Sequence, residues 1–203
     1  MNTRHLILSA AALIALSVPS TFAQQPSTTP NTPDPSIAQR KENQQDRIAN
    51  GVQSGQLTAG ETKNLETKQA DLNKEEHTMR SEDDGHLTAA DRTKLNNQQN
   101  HLSNQIYTDK HNAQTAHYGN NEVGQRRQNQ QNRIAQGIRS GQLTAGETAK
   151  LERQQQSINH EDGRMRAADG GKLTAGDKAA LNRRQNRASG NIYNKKHNAA
   201  HAG

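Results

Sequence analysis

Cysteine and tryptophan are absent from the 203 residues, and phenylalanine occurs once, as Phe22. The missing thiols exclude disulfides, thiolate metal centres and cysteine nucleophiles. Aromatic residues make up 2% of the chain and hydrophobic residues 29%. Beyond residue 23, leucine, isoleucine and valine together reach only about a tenth of the chain, a level at which disorder competes with folding. So little apolar material excludes a large enzyme with a deep, dry pocket, whose walls would be mostly apolar. Proline is missing after Pro35, so the rest of the chain lacks the strongest helix breaker and is free to be nearly all helical.

What is present begins with a leader. Residues 1–23 combine Arg4, an apolar stretch from Leu6 to Val18 and the small-residue site Thr21-Phe22-Ala23. That is the make-up of a secretory signal peptide, and the stretch is too short to span a bilayer. We therefore expect an exported protein, periplasmic or secreted, with no membrane span. Residues 24–39 hold four of the five prolines with several serines and threonines, the composition of a disordered tether. Without Arg4 the chain carries 25 basic and 20 acidic residues. For an exported chain this mild positive field favours a protein or an anionic envelope polymer over nucleic acid as partner.

The body repeats itself. Leu57 and Leu143 are 86 residues apart, and the same ungapped offset aligns Arg47 with Arg133, Met79 with Met165, Leu95 with Leu181 and Lys110-His111-Asn112 with Lys196-His197-Asn198. Residues 40–116 and 125–203 read as two tandem copies joined by a linker at 117–124. Within each copy the motif Gly-x-Leu-Thr-Ala-x-Glu/Asp occurs twice, from Gly55, Gly85, Gly141 and Gly171. A Thr followed three residues later by an acid has the form of a capping box, and a Gly just upstream suits a helix stop. The spacing predicts helices over about 36–54, 58–82 and 88–112, and again from about 123, 144 and 174. The expected fold is all-α: two three-helix units with short Gly-x-Leu-Thr turns. Leu65, Leu72 and Met79 recur every seven residues, as do Leu95 and Leu102, with Ile106 four beyond. This is a narrow apolar seam on each helix, and it predicts marginal stability or self-association.

The four Gly-x-Leu-Thr-x-x-Glu/Asp segments resemble the second half of an EF-hand calcium loop, in which Gly, an aliphatic residue and a chelating acid keep these spacings. The resemblance implies helix–loop–helix pairs and a calcium site, with Glu82, Asp83, Asp84 and Asp91 as the ligands this chain could offer. The first halves of the loops depart from the pattern, with Arg80 in the leading place of the most acidic one. The Leu-Thr-x-x-acid segments are also similar to the Leu-Thr-x-x-Gln motifs of exported envelope-stress chaperones of the CpxP and Spy type, which implies a small all-helical binding protein.

His197 and His201, four apart, could share a helix face as a transition-metal pair, while a Lys-His-Asn helix end also suits interaction with exposed carbonyls. Tyr107 and Tyr193, beside Ile106 and Ile192, read as packing residues. No phosphate loop, dinucleotide fingerprint or nucleophile elbow occurs. The sequence therefore predicts an exported, non-enzymatic helical repeat protein that needs no cofactor and binds through a surface centred on Leu72, Met79, Leu102 and Ile106. Its role would be envelope stress, chaperone-like or structural. A calcium- or metal-binding protein is the alternative, and a largely disordered secreted protein a further one.

Overall fold

The computed structural model describes residues 35–201, and the leader and the tether up to residue 34 lie outside the described residues, as do residues 202–203. The described residues form six α-helices and no strand: α1 Pro35–Ser54, α2 Ala59–Glu82, α3 Ala89–Lys110, α4 Glu122–Arg139, α5 Ala145–Ala168 and α6 Ala175–Lys196. Among them no helix is long and apolar enough to cross a membrane.

Local chemistry sets these boundaries. Thr58, Thr88, Thr144 and Thr174 are the N-caps of α2, α3, α5 and α6, each in a complete capping box. At Thr88, for example, Asp91 N–H donates to the hydroxyl at 3.1 Å, and Thr88 N–H donates to the Asp91 carboxylate at 3.0 Å. Two helix-end donors are thus satisfied reciprocally. Gly55, Gly85, Gly141 and Gly171 have φ between 67° and 88°, the left-handed conformation in which glycine ends a helix without a Cβ clash.

The expected tether and linker overlap the expected helices by a few residues, and the helices take the shared residues. Residues 35–39 belong to α1 rather than to the tether, because proline fits the first turn of a helix, where its missing N–H is not needed. The linker ends at Asn121 rather than Gly124. The Asn121 side chain accepts from Gly124 N–H at 3.1 Å and caps α4.

Helix α1 packs on α4 and α3, α2 lies chiefly along α5 and also against α3, and α6 packs on α4 and α5. The broad α1–α4 and α2–α5 contacts each join helices whose residues differ by 86 in number. The seam between them is only half apolar. Buried residues on α2 run Leu65, Gln69, Leu72, Glu76, Met79, and on α3 Leu95, Gln99, Leu102, Ile106. These are 4-3-4 spacings, with polar residues in alternate places on α2 and at Gln99 on α3.

Some of the buried glutamines donate to the backbone of neighbouring helices, while Oε1 of Gln44, Gln69, Gln99 and Gln185 has no partner. Gln44 Nε2 donates to Gln99 O at 2.7 Å and to Ser103 Oγ at 2.8 Å, and Gln99 Nε2 donates to Ile37 O at 3.1 Å. The same bonds recur 86 residues on, from Gln130 to Gln185 O and Ser189 Oγ and from Gln185 to Val123 O. Each holds two helices in a fixed register, because a buried amide without its carbonyl would cost about 1–3 kcal/mol.

Candidate functional site

The expected contact residues are not on the surface. Leu72, Met79, Leu102 and Ile106 are buried in the main hydrophobic cluster with Ile48, Leu65 and Ile138. Packing α2 on α5 and α3 consumes the seam, so these four are core; only Leu72 and Leu102 reach the floor of a shallow groove between α2 and α3. Tyr107 and Tyr193 differ from expectation in the opposite sense. They are 61% and 57% exposed, and their rings stack on His111 and His197 at 4.2 Å between centroids. In each pair the histidine Nδ1 lies 2.7 Å from the tyrosine carbonyl oxygen one turn back, so the histidine completes the helix C-terminus.

The expected ion ligands are dispersed or engaged. Glu82, Asp83 and Asp84 are exposed. Asp91 is tied to its cap, and the Thr88 hydroxyl followed by the Thr88 amide holds its carboxyl below the usual range. Arg80 donates to Glu76 and to Gly85 O instead of making room for a cation. His201 lies beyond the end of α6, so the one-turn spacing that would pair it with His197 on a helix does not apply. Among the described residues no group of three or more His, Asp or Glu is placed to hold a metal ion.

Two carboxyl groups are buried where α2 meets α5. Glu66 and Glu152 are both 0% exposed. Gln45 Nε2 donates to Glu66 Oε2 at 3.2 Å and Gln131 Nε2 to Glu152 Oε2 at 2.8 Å, while Oε1 of each glutamate has no partner. Burial pushes both carboxyls up to about 8, and for Glu66 the nearby Glu152 adds to the rise. They stay protonated at neutral pH.

The surface is divided by charge in a way that the whole-chain balance conceals. Residues 40–116 carry 10 basic and 12 acidic side chains, whereas residues 126–203 carry 15 and 6. Four of the added cations meet at one groove. Between α5 and α6, Lys150, Arg153, Arg184 and Arg187 line a cavity of about 400 Å³ with Gln154, Ser157 and Ile158. Arg184 is held by Glu161 and Ser157, each at 2.9 Å. Lys150, Arg153 and Arg187 are exposed. The residues 86 earlier are Asn64, Thr67, Gln98 and His101, and the matching groove between α2 and α3, about 260 Å³, is lined by Asp71 and Glu75 as well as Lys68. Sequence reasoning passed over this contrast because it weighed the charges of the chain together; comparing the two aligned segments would have found it.

A second recess lies at the seam of α1, α2 and α5. Lys41, Glu76, Arg80, His77, Gly146 and His201 are among the residues lining about 440 Å³. An adjoining cleft of about 340 Å³ shares Lys41, Asn73 and Ala145 with it. Lys41 Nζ lies 3.3 Å from Glu76 Oε2, and Arg80 Nη2 lies 2.9 Å from Glu76 Oε1.

No protein-family model matches the chain, and no curated protein or solved structure is significantly similar to it.

Proposed function

We propose that this chain is an exported, non-enzymatic binding protein made of two tandem copies of a three-helix unit. Its second copy takes an anionic envelope polymer in the groove between α5 and α6. The observation that carries this reading is the placing of Lys150, Arg153, Arg184 and Arg187 around one groove, where the residues 86 earlier are all uncharged or histidine. Guanidinium groups present forked donors suited to phosphate and carboxylate oxygens. A groove lined by one sign of charge also concentrates a polyanion near the surface. Arg184, positioned by Glu161 and Ser157, fixes the floor, and the three exposed cations supply the attraction. The first copy, with more acids than bases, repels the same ligand and so orients the protein on it.

The test is binding of polyphosphate and of polyglutamate at two salt concentrations. Affinity should fall steeply with added salt, since exposed charges are screened. Changing Lys150, Arg153 and Arg187 together to Gln should remove binding by at least tenfold with helicity unchanged. Equal binding by the triple variant would reject the groove.

A further inference from the structure

The recess at Lys41 has a counterpart 86 residues on that shows what it is shaped to hold. There Arg127 Nη1 donates to Asp162 Oδ2 at 3.0 Å and Arg166 Nε to Asp162 Oδ1 at 3.0 Å, the same basic–acid–Arg arrangement as Lys41, Glu76 and Arg80. The counterpart is filled by the segment before α4. Arg127 Nη2 donates to His117 O at 2.9 Å, and the guanidinium carbon sits 5.7 Å from the centre of the Tyr118 ring. A side chain narrows it further: a Cβ on Gly60 would meet Gln156 Nε2 at 3.1 Å.

At Lys41 each of these features is different. Ala70 stands where the other side has Gln156, and a Cβ on Gly146, the counterpart of Gly60, would meet no atom of the described residues within 4 Å. The residue 86 before Tyr118 is Thr32, which has no ring to offer. Lys41 itself is largely covered, with 17% of its side chain exposed. A cation so far removed from water attracts an aromatic face more strongly than a solvated one. The adjoining cleft extends the recess into a trench that a run of several residues can follow, rather than a closed pocket for a small molecule.

We propose that this trench binds an extended segment of another protein, which lays an aromatic side chain, tyrosine above all, against Lys41 and offers it a backbone carbonyl. The inference does not depend on the α5–α6 groove, and the two sites can fail separately. Commitment to an aromatic peptide follows from the chain's own example, in which His117-Tyr118 does the same to Arg127.

The experiment adds a synthetic peptide with the sequence of residues 113–121 to the full mature chain and follows backbone amide shifts by nuclear magnetic resonance. Saturable shifts should appear at Ala70, His77 and Gly146. The peptide with its tyrosine replaced by alanine should bind at least tenfold more weakly. Ala70→Gln, which copies residue 156, and Gly146→Trp should each abolish the shifts; if the second disturbs folding, the first alone decides. Equal binding by the alanine peptide, shifts centred on Arg153 and Arg187, or no response at millimolar peptide would overturn the proposal. So would shifts at these amides that answer only to protein concentration or to removal of residues 24–34, since they would assign the trench to a second copy or to the chain's own tether.

Discussion

Changing Glu66 and Glu152 together to glutamine removes two ionisable groups from the α2–α5 contact while keeping their shape and their acceptor for Gln45 and Gln131. Both carboxyls are raised from 4.5 to about 8, chiefly by burial. An acid raised in this way stays protonated in the folded state while the unfolded chain gives up its proton. Between pH 4.5 and 8 the folded state therefore binds more protons, and stability falls as pH rises through that window before levelling off above it. A displacement of that size corresponds to about 5 kcal/mol per carboxyl once both states are ionised. Relaxation of the two helices and entry of water absorb part of this. We therefore expect the wild type to lose roughly 3 kcal/mol or more between pH 5 and pH 8, and the double variant to lose less than about 1 kcal/mol.

Urea unfolding followed by circular dichroism at pH 5 and pH 8 reads this directly, with the slope against urea checking that the same surface unfolds. Wild type and variant differ only at these two side chains, so comparing their pH slopes isolates the glutamates. A wild type that gains stability from pH 5 to pH 8, or a double variant that follows the same pH slope, would refute the reasoning. A further expectation concerns assembly. Because the α2–α5 contact carries the pair, its loosening above pH 8 should raise amide exchange first at Thr62 and Thr148, the buried residues one turn before the glutamates.

Other perturbations test the fold at single points. Thr144→Ala removes the cap of α5 and should cost about 1 kcal/mol in urea unfolding; no loss would mean that Glu147 alone satisfies the helix end. Gly137→Ala places a Cβ 2.6 Å from Leu143, whose amide bonds to Gly137 O. It should destabilise by about 1–3 kcal/mol through overpacking, whereas Gly163→Ala, with nothing within 4 Å of the new atom, should stabilise α5 slightly. Gln130→Ala leaves the Gln185 carbonyl and Ser189 without their donor and should cost about 1–3 kcal/mol by the same assay.

The helix starts and stops were legible because they depend on atoms within one turn. Thr58, Thr88, Thr144 and Thr174 act on their own next three residues, and the four glycines adopt positive φ where the motif puts them. The cap at Asn121 was missed because nothing in Asn-Glu-Val-Gly repeats the Leu-Thr signal, although Asn is a good N-cap. The spacing of seven at Leu65, Leu72 and Met79 marks the seam but shows only half of it. Gln69 and Glu76 occupy the intervening places, and a scale that counts polar residues as exposed assigns them to the surface. With those places left out, the seam reads as too thin to fill a core and so as a binding face, whereas Leu72, Met79, Leu102 and Ile106 are buried.

Glutamine suits such a core because its side chain is long enough to reach the main chain of the next helix with an amide donor, although Oε1 of Gln44, Gln99 and Gln185 is left without a partner. Gln44, Gln99, Gln130 and Gln185 each use the donor on a backbone carbonyl of another helix. These bonds specify which helix turn meets which, a task for which leucine alone has no geometry. The core therefore gains register where it forgoes apolar area, and the apolar residues that remain are all needed inside. Function is left to what the packing does not consume, namely the charged side chains on the outer faces and the recess at Lys41. The asymmetry between the two segments belongs to that remainder: Asn64, Thr67, Gln98 and His101 correspond to Lys150, Arg153, Arg184 and Arg187, while Leu65 and Leu151, Gln99 and Gln185, and Ile106 and Ile192 are identical residues in equivalent buried places. These buried pairs are alike while the named solvent-facing pairs differ in charge, so partner recognition is to be sought where the two segments differ.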